Sequence, residues 1–100
     1  MPRERRHHGR VPVRLDVLWE SASVDSFSQI ADVSPGGCFV NSAFRVTGGE
    51  ALTLEVFLPR GGKVRLTGEV AHQRWPVGFG VRFTGFGSDE DYAELLTLVR

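Results

Sequence analysis

Residues 50–70 read EALTLEVFLPRGGKVRLTGEV. Leu52, Leu54, Val56 and Leu58 alternate with Thr53, Glu55 and Phe57, Pro59-Arg60-Gly61-Gly62 breaks the pattern, and Val64, Leu66 and Val70 resume it. Period-two alternation on both sides of a Pro/Gly loop predicts two antiparallel strands, each with one buried face, joined as a hairpin. Gly68 interrupts the second run and marks a bulge or a barrel bend, and His72 continues the apolar parity beyond it.

The same period extends outward. VPVRLDVLWE at 11–20 places Val11, Val13, Leu15, Val17 and Trp19 on one face. VDSFSQIADV at 24–33 is less regular, with Phe27, Ala31 and Val33 on one parity and Ile30 on the other, and it ends in the turn DVSPGG before a short strand CFVN. VGFGVRF at 77–83 aligns Val77, Phe79, Val81 and Phe83, opposite Gly78, Gly80 and Arg82; the two glycines leave room for a neighbouring group. In SDEDYAELLTLVR at 88–100 the period changes: Tyr92, Leu95, Leu96 and Val99 follow helical spacing, Ser88 is placed to cap, and three acids favour the helix start. Six short strands with Gly-rich turns and one terminal helix predict an all-β domain with a short C-terminal helix, a six-stranded antiparallel β-barrel, since closure removes vulnerable edges.

One hundred residues, 41% of them hydrophobic, suffice for one small core. Residues 1–10, MPRERRHHGR, hold almost no apolar side chain and are expected to form an arginine-rich arm ahead of a barrel spanning 11–100. Twelve basic and twelve acidic residues cancel, which argues against a nucleic-acid polymer or a membrane surface as the partner. Any anion site is therefore local. Eleven of the twelve basic residues are arginine, whose planar fork suits phosphate or a guanine edge. A single cysteine, Cys38, excludes an internal disulfide and any multi-thiolate metal site, and no apolar run is long enough to span a bilayer, so a cytoplasmic location is expected.

Arg6 and Arg10 stand four residues apart in RHHGR, and DVSPGG, about twenty residues on, contributes Asp32, Ser34, Gly36 and Gly37. Two motifs, RxxxR and DxSxxG, in this order and ahead of a barrel pattern with a late GFGVRF strand, resemble the PilZ domain family over roughly residues 5–99. The resemblance implies a barrel that binds cyclic di-GMP and changes its conformation or its partner contacts on binding. It assigns the ligand to Arg5, Arg6, Arg10, Asp32, Ser34, Gly36 and Gly37, with no cofactor, no metal and no catalysis. The output would be a contact in trans with an effector protein, in motility, exopolysaccharide or biofilm control. The chemistry of the residues agrees: guanidinium groups meet phosphates or guanine O6 and N7, Asp32 accepts from guanine N1 and N2, and Gly37 permits close backbone approach. Arg5 adds a third charge beside the first motif arginine.

Plainer readings stand beside these. The arginines alone would be a solvated tail, and Asp32, Ser34 and Gly37 alone a structural turn. The alternative function is a PilZ-like adaptor that works by protein contacts without nucleotide. His7 and His8 lack a third metal ligand at an obvious spacing, and His72 reads as a hydrogen-bonded, partly buried histidine. Ser34, His72 and an aspartate lack a nucleophile elbow. Cys38 reads as a small apolar filler, Trp75, Phe79 and Phe83 as core or rim with core the preferred reading, and Arg82 as an outward-facing candidate contact.

Overall fold

The computed structural model describes residues 10–99. It contains six strands, β1 (Val11–Glu20), β2 (Asp25–Ser34), β3 (Gly37–Asn41), β4 (Ala51–Phe57), β5 (Lys63–Arg74) and β6 (Gly78–Phe86), followed by helix α1 (Asp89–Leu98). All neighbouring strands pair antiparallel, and the sheet closes into a barrel in the order β1-β2-β3-β6-β5-β4. β1 thus lies across the barrel from β6.

Alternation builds the core as the sequence predicts for β1, β4 and the first half of β5. Leu15, Val17 and Trp19, Leu52, Leu54 and Val56, and Val64, Leu66 and Val70 are all buried inside. Trp19 anchors one end, its ring edge-on to Phe79 at 5.2 Å and its Nε1 donating to Ser28 Oγ at 3.0 Å, so its one polar atom is satisfied without leaving the core. The β3–β4 connection also contributes a core residue, Val46.

Bulges decide where the alternation fails. A register shift between Ile30 and Asp32 turns both Ile30 and Val33 inward despite their opposite parity and leaves Phe27 on the outer face. A second, at Gly68, fits the bend expected there, and a third, between Val70 and His72, rotates His72 outward. His72 is exposed, which corrects its placement on the buried parity. Trp75 is also corrected: it is half exposed in the β5–β6 turn, donating to Ala43 O at 3.0 Å, with the Arg45 guanidinium stacked 4.2 Å over its ring. Val77 belongs to the same turn and is exposed, because β6 begins at Gly78.

Helix α1 packs on β5 and β6 through Leu95. Ser88 caps it, accepting from Asp91 N, and Asp89, Glu90 and Asp91 fill the first turn, as predicted. Among the described residues no helix is long and apolar enough to cross a membrane.

Candidate functional site

Two sequence-distant pieces meet at the mouth of the β2–β3 hairpin. Arg10 lies immediately before β1, and antiparallel pairing sets Pro12 opposite Asp32. Arg10 Nη1 then donates to Asp32 Oδ1 at 2.9 Å, across 22 residues of sequence, with both groups open to solvent. The pairing of RxxxR with DxSxxG is thus a physical contact for the one motif arginine that is described. Arg5 and Arg6 lie outside the described residues, as do His7, His8 and all but the last residue of the expected arm.

The turn itself is closed by Ser34. Its Oγ accepts from Gly37 N at 3.1 Å and lies 3.3 Å from Gly37 O, so the hydroxyl braces the hairpin rather than standing free for a ligand. Gly36 O accepts from Phe83 N at 2.9 Å, fastening the turn to β6. Gly37 pairs with Arg82, and a Cβ there would collide with the Val81 carbonyl oxygen, so close approach of β6 is what requires glycine. Gly36 has open space around its α-carbon.

Arg10 and the turn residues rim a shallow concavity of about 320 Å³, with Asp32 held beside it by Arg10. Arg10, Ser34, Gly36 and Gly37 form one side; Ala71 and His72 of β5 and Gly80 and Arg82 of β6 form the other. Sequence reasoning placed Arg82 outward, and it is, with Nη2 2.9 Å from Glu69 Oε1. It missed His72 as a wall of the site. The imidazole lies flat over Gly80, its Nδ1 and Nε2 2.8 and 2.9 Å from where a Cβ would stand, with Phe39 6.2 Å away. The signal was present in the glycine opposite the histidine in register, but only the bulge makes the two meet on the outer face.

Cys38, directly after Gly37, is buried beneath this rim. Burial pushes its thiol from an ordinary 9.0 up to about 12; the Asp32 carboxylate adds to the rise and the Arg10 guanidinium opposes it. A neutral, apolar filler is the role this supports.

The family model of the PilZ domain matches residues 4–100. The chain belongs to the PilZ domain family. Solved structures agree at the level of fold. The PilZ domain of CeSA, from a cellulose synthesizing bacterium, superposes with a TM-score of 0.70 at 18% identity, over 90% of this chain and 93% of that one. The Bacillus subtilis inhibitor of motility MotI/DgrA superposes with a TM-score of 0.76 at 19% identity, over 92% of this chain and 48% of that one. No curated protein matches the sequence. PilZ domains are in general receptors for cyclic di-GMP and act as binding or adaptor modules, and the rim just described carries Ser34 and Gly37 of DxSxxG and the second arginine of RxxxR, with Asp32 joined to that arginine.

Proposed function

We propose that this chain is a cyclic di-GMP receptor that binds the nucleotide at the Arg10–Asp32 rim and signals to an effector protein in trans. The observation that carries the reading is the 2.9 Å contact to Asp32 made by Arg10, which lines a glycine-rich concavity. An exposed ion pair of this kind contributes at most about 1 kcal/mol, so a ligand offering both a phosphate and a guanine edge can replace it at little cost. The guanidinium then takes phosphate oxygens or guanine O6 and N7, and the carboxylate takes guanine N1–H and N2–H. The exposed faces of His72 and Arg82 lie across the concavity from them. Arg5 and Arg6 supply the remaining positive charge.

Binding ties the segment before β1 to the β2–β3 hairpin and to β6, and a change in that segment is the signal a partner reads. No bond of the ligand is made or broken in this reading, so the chain is a receptor and not a catalyst. Motility, exopolysaccharide or biofilm control in the cytoplasm is the setting that family membership suggests.

Isothermal calorimetry with cyclic di-GMP tests the reading. Saturable heat is expected at or below tens of micromolar ligand, about 6–7 kcal/mol of binding, and its loss in Arg10→Ala is expected while the fold is kept. Absence of heat and of NMR shifts in the parent protein at that concentration would overturn it and leave an adaptor that works without nucleotide.

A further inference from the structure

His72 forms a wall of the concavity to which neither sequence motif assigns a role. The bulge between Val70 and His72 turns its side chain to the outer face of β5, where it is exposed and its ring covers Gly80 of β6. Any Cβ on residue 80 would collide with that ring, so the glycine is what lets the imidazole sit at this wall. Among the described residues neither Nδ1 nor Nε2 makes a hydrogen bond. Both nitrogens are therefore available to a ligand.

The acids around the ring are already engaged. Arg10, ahead of β1, and Arg82, on β6, line the same concavity; Arg10 holds Asp32 and Arg82 holds Glu69, each at 2.9 Å. On β3, Phe39 beside the ring brings no charge and the buried Cys38 thiol is neutral. Arg74 follows two residues on along β5, and Glu50, in the β3–β4 connection, accepts from Thr47 N at 2.9 Å. Imidazole is the side chain that changes charge between pH 5 and 8, whereas guanidinium groups, carboxylates and phosphodiesters keep theirs across that interval. A concavity of about 320 Å³ is roughly one Debye length across, so a phosphate bound to Arg10 within it acts on His72 with little screening. Such an anion favours imidazolium over imidazole, and by linkage the proton strengthens anion binding by the same factor.

We propose that His72 is a proton-dependent contact for the cyclic dinucleotide: on binding, the ring takes a proton from solvent and donates a hydrogen bond to a phosphate oxygen, so that affinity rises as pH falls from 8 to 6. Occupancy of the site then reports pH as well as nucleotide concentration. The inference rests on the receptor reading of this concavity and adds the regulation of that same site.

The test is calorimetry of the full chain with cyclic di-GMP at pH 6, 7 and 8, each in two buffers of different ionisation heat. Affinity about tenfold higher at pH 6 than at pH 8 is expected, with a buffer-dependent heat at pH 7 that reports proton uptake. In NMR at pH 7 the His72 ring Cε1–H signal should move to its imidazolium position as ligand is added. His72→Asn should reduce the ratio of affinities at pH 6 and 8 to less than about twofold, with the thermal midpoint kept because the side chain is exposed. The double variant His7→Asn/His8→Asn should keep the parent ratio, which separates His72 from the other two histidines. Heat with equal affinity at all three pH values, a ratio undiminished in His72→Asn, or a ratio lost in the double variant overturns this proposal alone. No heat at any pH overturns it together with the receptor reading.

Discussion

Two hairpins of this barrel have nearly the same turn composition and opposite reasons for it. The β2–β3 turn reads Ser34-Pro35-Gly36-Gly37 and the β4–β5 turn reads Leu58-Pro59-Arg60-Gly61-Gly62. In the second, Gly61 and Gly62 have φ of 97° and 83° with nothing near their α-carbons, so glycine is there for backbone conformation. In the first, neither glycine has positive φ, and Gly37 is there because the β6 backbone passes too close for a side chain. One turn is a free solvent hairpin. The other is fastened to β6, braced by Ser34 and set against Arg10, and that difference makes it the rim of a site.

The largest effect separating the two turns is expected from Gly37→Ala. Its methyl meets backbone, which cannot swing aside, so a loss of about 3 kcal/mol is expected, near the upper end of overpacking costs. Thermal unfolding should show a midpoint lowered by about 15 °C, whereas Gly36→Ala, one residue away in open space, should change stability by less than about 0.5 kcal/mol. Equal costs at the two positions would break the steric account of the turn.

Next in size is Arg10→Ala, which probes binding rather than folding. Removing charge-assisted hydrogen bonds to the ligand should cost about 1.5–3 kcal/mol, a tenfold to hundredfold loss of cyclic di-GMP affinity by calorimetry. Stability should fall by no more than about 1 kcal/mol, because the Arg10–Asp32 pair is exposed. At the other turn the expectation is reversed: Gly61→Ala forces a side chain to φ of 97°, a cost of about 1–2 kcal/mol in urea unfolding, with unchanged ligand affinity. A change in affinity from Gly61→Ala would show that the β4–β5 turn is coupled to the site.

The sequence carried the architecture well because β1, β4 and early β5 alternate without interruption, and each alternate residue buries one apolar side chain. It carried the site in part. Arg10 and Asp32 were legible as a pair because antiparallel β1–β2 pairing brings the start of one strand to the end of the next. What was not legible traces to bulges. One inserted residue near Ile30 and one near His72 each exchange inside for outside, and no local residue preference announces either, so Ile30 was read off-face and His72 as buried. Trp75 was misplaced for a different reason: a large ring is read as core by default, whereas here Arg45 and the Ala43 carbonyl satisfy it at the surface. The role of Gly37 needed the position of β6, a non-local fact.

The smallest expected effect sharpens the contrast at the residue that follows each glycine pair. After Gly62 stands Lys63, exposed; after Gly37 stands Cys38, buried under the rim. In the folded chain the thiol stays neutral until about pH 12, chiefly because burial disfavours the thiolate, while in the unfolded chain it ionises near 9.0. Above pH 9 the unfolded state therefore binds fewer protons, and stability falls as pH rises. This contribution is fully present below pH 9 and is lost progressively as pH climbs through 12, with a drop of about 1 kcal/mol expected between pH 9 and 10. Urea unfolding across that interval reads it against Cys38→Ala, which keeps every other ionisable group. Cys38→Ala should start less stable for want of the buried sulfur, yet lose less stability with alkali. Parallel pH profiles would mean that the thiol is reached by solvent and that the β2–β3 turn is less tightly fastened to β6 than its hydrogen bonds imply.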